Sequence, residues 1–145
     1  MPTPFESAQL ILSLYETRRE ETMRKARDFF FTFDPRNLDE FLAGFTGPNG
    51  PYIRMVISYW DMAASFVENG AIDRQMFLDA NGEFISVFAK VEPYLPHMRE
   101  MFKNSAFGTN LEKLTLSIPN ARVRLENSIN MIRHALAQRA AATKA

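Results

Sequence analysis

Between Tyr52 and Glu68, apolar residues recur at helical spacing on two faces at once. Ile53, Val56, Ile57, Trp60, Ala64 and Val67 form one stripe, and Tyr52, Met55, Tyr59, Met62 and Phe66 form a second. Only Arg54, Ser58, Asp61, Ser65 and Glu68 remain as a narrow polar seam. A helix apolar over most of its circumference needs protein on most of its sides, so this pattern predicts the central post of an all-α domain. Pro51 suits a first helical position and Gly70 a left-handed cap, which sets the post at residues 52–69.

The same periodicity predicts its neighbours. Phe5, Ala8, Leu12 and Tyr15 give an apolar face to a first helix running from Pro4 to about Phe31. Its charged middle contains Glu20 with Arg24 and Glu21 with Lys25, acid-before-base pairs each worth about 0.2–0.5 kcal/mol, and reads as a solvated surface. Phe29, Phe30, Phe31 and Phe33 fit no single face, so this end should be plugged into the core or covered by a partner before Asp34 and Pro35 stop the helix. A short helix from about Leu38 to Phe45 presents Phe41, Leu42 and Phe45.

Beyond the post, Asp73 caps a partner helix over 73–91, with Phe77, Ala80, Phe84, Val87, Phe88 and Val91 on its apolar face. Only Ala71 and Ile72 connect the two, which predicts a tight antiparallel hairpin, and Gly82 marks a kink or a close approach of helices. Pro93 and Pro96 open a helix to about Phe107. Thr109 and Glu112 have capping-box spacing ahead of Leu111, Leu114 and Leu116. A last helix from near Pro119 should bury Leu125, Ile129, Ile132 and Leu136 and leave Arg122, Glu126 and Arg133 in water. The tail over 140–145 has nothing to bury and should fray. The expected architecture is a single domain over 1–145, an irregular bundle of about six or seven helices.

Composition narrows the functions such a bundle can serve. Thirteen Phe, eight Met and one Trp supply the core, while 17 basic and 17 acidic residues balance to zero. No long-range field would gather nucleic acid. The basic cluster of Arg18, Arg19, Arg24, Lys25 and Arg27 is interleaved with Glu16, Glu20, Glu21 and Asp28, and the apolar hairpin offers no polar recognition helix. The absence of cysteine excludes disulfides and thiolate-held metals. With no apolar leader and no apolar run near 20 residues, a cytoplasmic protein without a transmembrane segment is predicted.

Candidate chemistry is sparse. Asp79, Asn81, Gly82, Glu83 and Phe84 match the middle of an EF-hand loop, but Phe77 and Phe88 stand where its first and last carboxylates belong. Of the two histidines, neither His97 nor His134 follows a glutamate at the spacing of a bundle di-metal site, and His97 with Glu100 supplies only two ligands. Gly47 to Pro51 lacks the lysine of a phosphate loop. There is no Gly-x-Ser-x-Gly elbow and no pair of acids tuned apart. The sequence therefore predicts no catalytic residue, metal or cofactor.

One resemblance adds to this reading. Val56, Ile57, Ser58, Tyr59, Trp60, then Gly70, Ala71, Ile72, Asp73, and later Pro93, Tyr94, Leu95 follow an aromatic pair, a Gly-apolar-acidic turn and a Pro-Tyr restart. With the upstream run Arg24 to Phe29, this resembles, over about residues 24–100, a family of short bacterial all-helical proteins classed only as a domain of unknown function. The resemblance implies a helical architecture and supplies no activity; members often carry an N-terminal membrane helix, which is not evident here.

Function is then sought in apolar surface. The stripe of Tyr52, Met55, Tyr59, Met62 and Phe66 reads first as core packed by the first and last helices, then as a homodimer face, then as the wall of a pocket for an apolar small molecule. If partners cover both stripes, Arg54, Ser58 and Asp61 should form a buried polar network. The expected function is protein association, with itself or another protein; the alternative is a small-molecule sensor or carrier with an apolar pocket between helices.

Overall fold

In the computed structural model, which describes residues 1–144, the chain folds as a succession of helices. These are α1 (Pro4–Arg18), α2 (Glu21–Thr32), α3 (Leu38–Thr46), α4 (Gly50–Glu68), α5 (Arg74–Ala80), α6 (Glu83–Val91), α7 (Leu95–Met101), α8 (Thr109–Leu116) and α9 (Ala121–Lys144), with a 3-10 turn at Glu92–Tyr94. The described residues contain no strand. The expected post is α4. Ile53, Val56, Ile57, Ala63 and Ala64 are wholly buried along it, with Trp60 among the bulkiest enclosed side chains. Its most extensive neighbours are α2 and α8, whereas α6, the expected hairpin partner, packs more widely against α9.

The helices outnumber the expectation because two predicted helices are broken. The first divides at Arg19 and Glu20, where Glu20 leaves helical geometry at φ −59°, ψ 143° and its carboxylate accepts from the amides of Thr22 (3.0 Å) and Met23 (2.9 Å). Capping a new helix is worth about 1 kcal/mol, more than the expected Glu20–Arg24 pair would return. Glu21 and Lys25 do pair, at 3.3 Å. The predicted 73–91 helix divides at Asn81 and Gly82, where the Asn81 side-chain amide donates to the Phe77 carbonyl and closes α5.

Further along, the helix after Pro93 ends at Met101 rather than near Phe107. The expected capping box at Thr109 is absent. Gly108, at φ 73° and with Leu95 tight against it, caps α8 instead, Thr109 donates to the Ala106 carbonyl and Glu112 turns to Arg99 at 3.1 Å.

At the phenylalanine-rich end of α2, Phe30 is buried in the core and Phe29 and Phe33 pack against it, while Phe31 lies outside the core cluster. Phe29 stacks on Phe33 at 5.9 Å and leans on Tyr52 at 6.2 Å, and Phe41 stacks on Tyr94 at 4.5 Å. Gly44 admits the Phe33 ring, with which any Cβ there would collide. In α9, Leu125 and Ile132 are buried and Ile129 and Leu136 half-buried. The helix continues to Lys144 with exposed side chains from Ala137 onward; Ala145, the last residue of the tail expected to fray, lies outside the described residues.

Candidate functional site

The second stripe of α4 is largely covered from within the chain. Tyr59 is buried edge-on against Trp60 at 4.9 Å, and its hydroxyl donates to the Leu14 carbonyl at the end of α1. Burial pushes this phenol up to about 12. Tyr52 meets Phe29 of α2, Met55 and Phe66 are half-buried against the core, and Met62 alone of the five is exposed.

The expected network of Arg54, Ser58 and Asp61 does not form. Arg54 and Ser58 are exposed, with the Arg54 guanidinium lying 5.6 Å over the Phe45 ring. Asp61 is half-buried and accepts from the Leu111 amide at 2.9 Å, in the first turn of α8. With the Arg54 end of the seam open to water, its polar groups are solvated and need no partners among themselves.

On α1 the structure turns a different face inward from the one expected. Ser7 and Leu14 are buried and Ile11 packs against the core, while Phe5, Leu12 and Tyr15 stand outside at 71%, 62% and 48% exposure. The Ser7 hydroxyl accepts from the Asp73 amide at 3.0 Å.

A third feature lies where α2, α6 and α9 meet, in an open groove of about 860 Å³. Its apolar lining includes Phe30, Phe31, Val87 and Ile132; its charged lining includes Arg24, Arg27, Asp28, Glu83, Lys90 and Arg139. Arg27 and Glu83 tie α2 to α6 through contacts of 2.7, 3.0 and 3.1 Å, and this pairing raises the Arg27 pKa. Ser86 and Ser128 share a hydrogen bond of 2.7 Å that joins α6 to α9.

Lys90 is the most enclosed charged side chain of this groove, only 5% exposed. Its ammonium donates to the carbonyls of Phe30 (2.6 Å) and Phe31 (2.8 Å) and lies 5.1 and 5.8 Å from their ring centroids. Among the described residues no carboxylate lies within ion-pairing distance of it. Burial pushes this amine down to about 8, opposed by the charge of Asp34 and reinforced by that of Arg133. Arg139 lies 4.8 Å over the Phe31 ring. Sequence reasoning did not single out Lys90. Its only signal is its place one turn after Val87 and just before Val91, beside the apolar face.

The remaining candidates are engaged elsewhere or open to solvent. Asp79 accepts from Gln75 and Glu83 pairs with Arg27, so two carboxylates of the calcium-like segment serve local contacts. His97, Glu100 and His134 are exposed. Among the described residues no cluster of three or more His, Asp or Glu side chains suits a metal, and no helix is long and apolar enough to cross a membrane.

No curated protein and no solved structure matches this chain. A family model described as a domain of unknown function, DUF4760, matches residues 4–117. That span opens at the first residue of α1 and closes just after α8, so it includes the post, the α1 stripe and two walls of the groove. The third wall, α9 with Ile132 and Arg139, lies beyond it. Because the match takes in well over half of the chain, the protein belongs to the DUF4760 family.

Proposed function

We propose that this protein is a self-associating helical module in which two copies pair through α1. The observation that carries this reading is the outward stripe of Phe5, Ala8, Leu12 and Tyr15, three of whose side chains are about half or more exposed. Contiguous exposed apolar surface of this kind marks interaction sites.

The order of residues favours a second copy as the occupant. Run antiparallel about a two-fold axis, the stripe sets Phe5 opposite Tyr15 and Ala8 opposite Leu12, aromatic against aromatic and small against large. The zero formal charge means that copies do not repel one another at long range. A helix of 15 residues is only about 22 Å long, so the contact is small and the affinity expected is micromolar.

Sedimentation velocity over a concentration series tests the proposal. The wild type should shift from monomer to dimer near about 10–100 µM, and Leu12→Glu, at an exposed position, should stay monomeric with its helical circular dichroism intact. A wild type that stays monomeric throughout, or a Leu12→Glu variant that dimerises as well as the wild type, refutes it.

A further inference from the structure

We infer that the groove between α2, α6 and α9 binds a small amphiphilic carboxylate, its headgroup between Lys90 and Arg139 and its alkyl chain over Phe30, Val87 and Ile132. Three observations lead there. The first is size. About 860 Å³ lies within the range of small-molecule sites, and the apolar floor offers nothing to a fully hydrated ion such as inorganic phosphate.

The second is the state of Lys90. An ammonium has three N–H donors, and the two α2 carbonyls take two of them. Holding up the end of α2 accounts for those two bonds and leaves a buried cation with its third donor unused and no ion-pairing carboxylate among the described residues. A carboxylate entering the groove supplies both the acceptor and the charge.

The third is the balance of the remaining groups. Arg27 and Glu83 neutralise each other, which leaves Arg24, Lys90 and Arg139 against Asp28, so the lining carries a positive surplus. Asp34 and Arg133, which also act on Lys90, are paired with each other at 3.2 Å. Arg139 makes no ion pair among the described residues, and a planar guanidinium suits the two oxygens of a carboxylate.

Isothermal titration with decanoate at pH 8, in buffers of different ionisation enthalpy, tests the site. One decanoate per chain is expected, with uptake of about half a proton, because an amine titrating at about 8 is half protonated there and becomes fully protonated against a carboxylate. Decyl alcohol and acetate, which each keep one half of the ligand, should bind at least about 10-fold more weakly. Arg139→Gln, at an exposed position that leaves the fold intact, should weaken decanoate by about 10-fold, and Lys90→Gln should abolish the proton uptake. Absence of binding to the wild type, binding without proton uptake, equal binding of decyl alcohol, or undiminished binding to Arg139→Gln each overturns the inference. Should Lys90→Gln fail to fold, the wild-type proton count and the Arg139 variant still decide.

Discussion

Replacing Lys90 by Met keeps the length of the side chain and removes its charge, so the variant isolates what it takes to hold an ammonium inside this fold. The amine is pushed from 10.5 down to about 8, which makes its protonated form about 3 kcal/mol less favourable in the folded chain than in water. The direction with pH is set by proton counts. Between pH 8 and 10.5 the unfolded chain still carries the proton and the folded chain has released it, so raising the pH stabilises the fold. Below pH 8 both states are protonated and the penalty is felt in full. From pH 7 to pH 10 the wild type should therefore gain about 2–3 kcal/mol relative to Lys90→Met.

Urea unfolding of both proteins at half-unit pH steps measures this, with the difference between the two curves as the readout. Tyr59, held up at about 12, works in the opposite sense above pH 10, where the unfolded phenol ionises and the folded one does not. That contribution is common to both proteins and cancels in the difference. Losing the ammonium also strips a donor from the carbonyls of Phe30 and Phe31, which shifts the variant's curve by an amount nearly independent of pH. Curves that run parallel from pH 7 to 10 would show that Lys90 titrates as it does in water and that burial does not govern it.

Other positions give independent checks. Thr115 has a buried hydroxyl without a hydrogen-bond partner among the described residues, so Thr115→Val should raise stability by about 1 kcal/mol in chemical denaturation. Asp61→Ala should lower it by about 1 kcal/mol through loss of the contact to the Leu111 amide, whereas Asp61→Asn, which keeps an acceptor oxygen, should lie within a few tenths of the wild type. Gly44→Ala forces a methyl group into the Phe33 ring and should destabilise by about 1–3 kcal/mol, and restoring stability with Phe33→Leu in the same chain would confirm the collision as the cause.

Legibility of the fold tracked how strongly each segment was constrained by its own residues. The α4 post, the plugged end of α2 and the buried side of α9 were readable because each has more apolar side chains than one exposed face can hold. The breaks were not. Glu20 is a weak N-cap by residue type and prevails only because its carboxylate reaches two free amides, and the Thr109 box is lost because Gly108 takes a left-handed backbone and Glu112 turns to Arg99, which comes from elsewhere in the chain. The groove was hidden for the same reason. Lys90, Arg139 and Phe31 come from three helices, and their approach depends on how α9 lies on α6.

Counting apolar residues fails on α1 because it does not determine how the helix is rotated about its own axis. Turning Phe5, Leu12 and Tyr15 inward would turn Ile11 and Leu14 outward, three apolar side chains against two, so the apolar terms alone would favour that rotation by one side chain, about 1.5–3 kcal/mol. The polar cost exceeds that remainder. The Ser7 hydroxyl takes the Asp73 amide and the Leu14 carbonyl takes the Tyr59 hydroxyl, and both bonds would be lost, the second leaving a buried phenol unsatisfied. Two hydrogen bonds therefore fix the rotation and leave Phe5 and Leu12 with their burial still to be gained. Pairing two copies would gain it four times over, about 6–12 kcal/mol gross against an association cost of about 4–15 kcal/mol. The margin is narrow, so the dimer should respond steeply to the stripe: one Leu12→Glu substitution, entered twice by symmetry, is enough to abolish it.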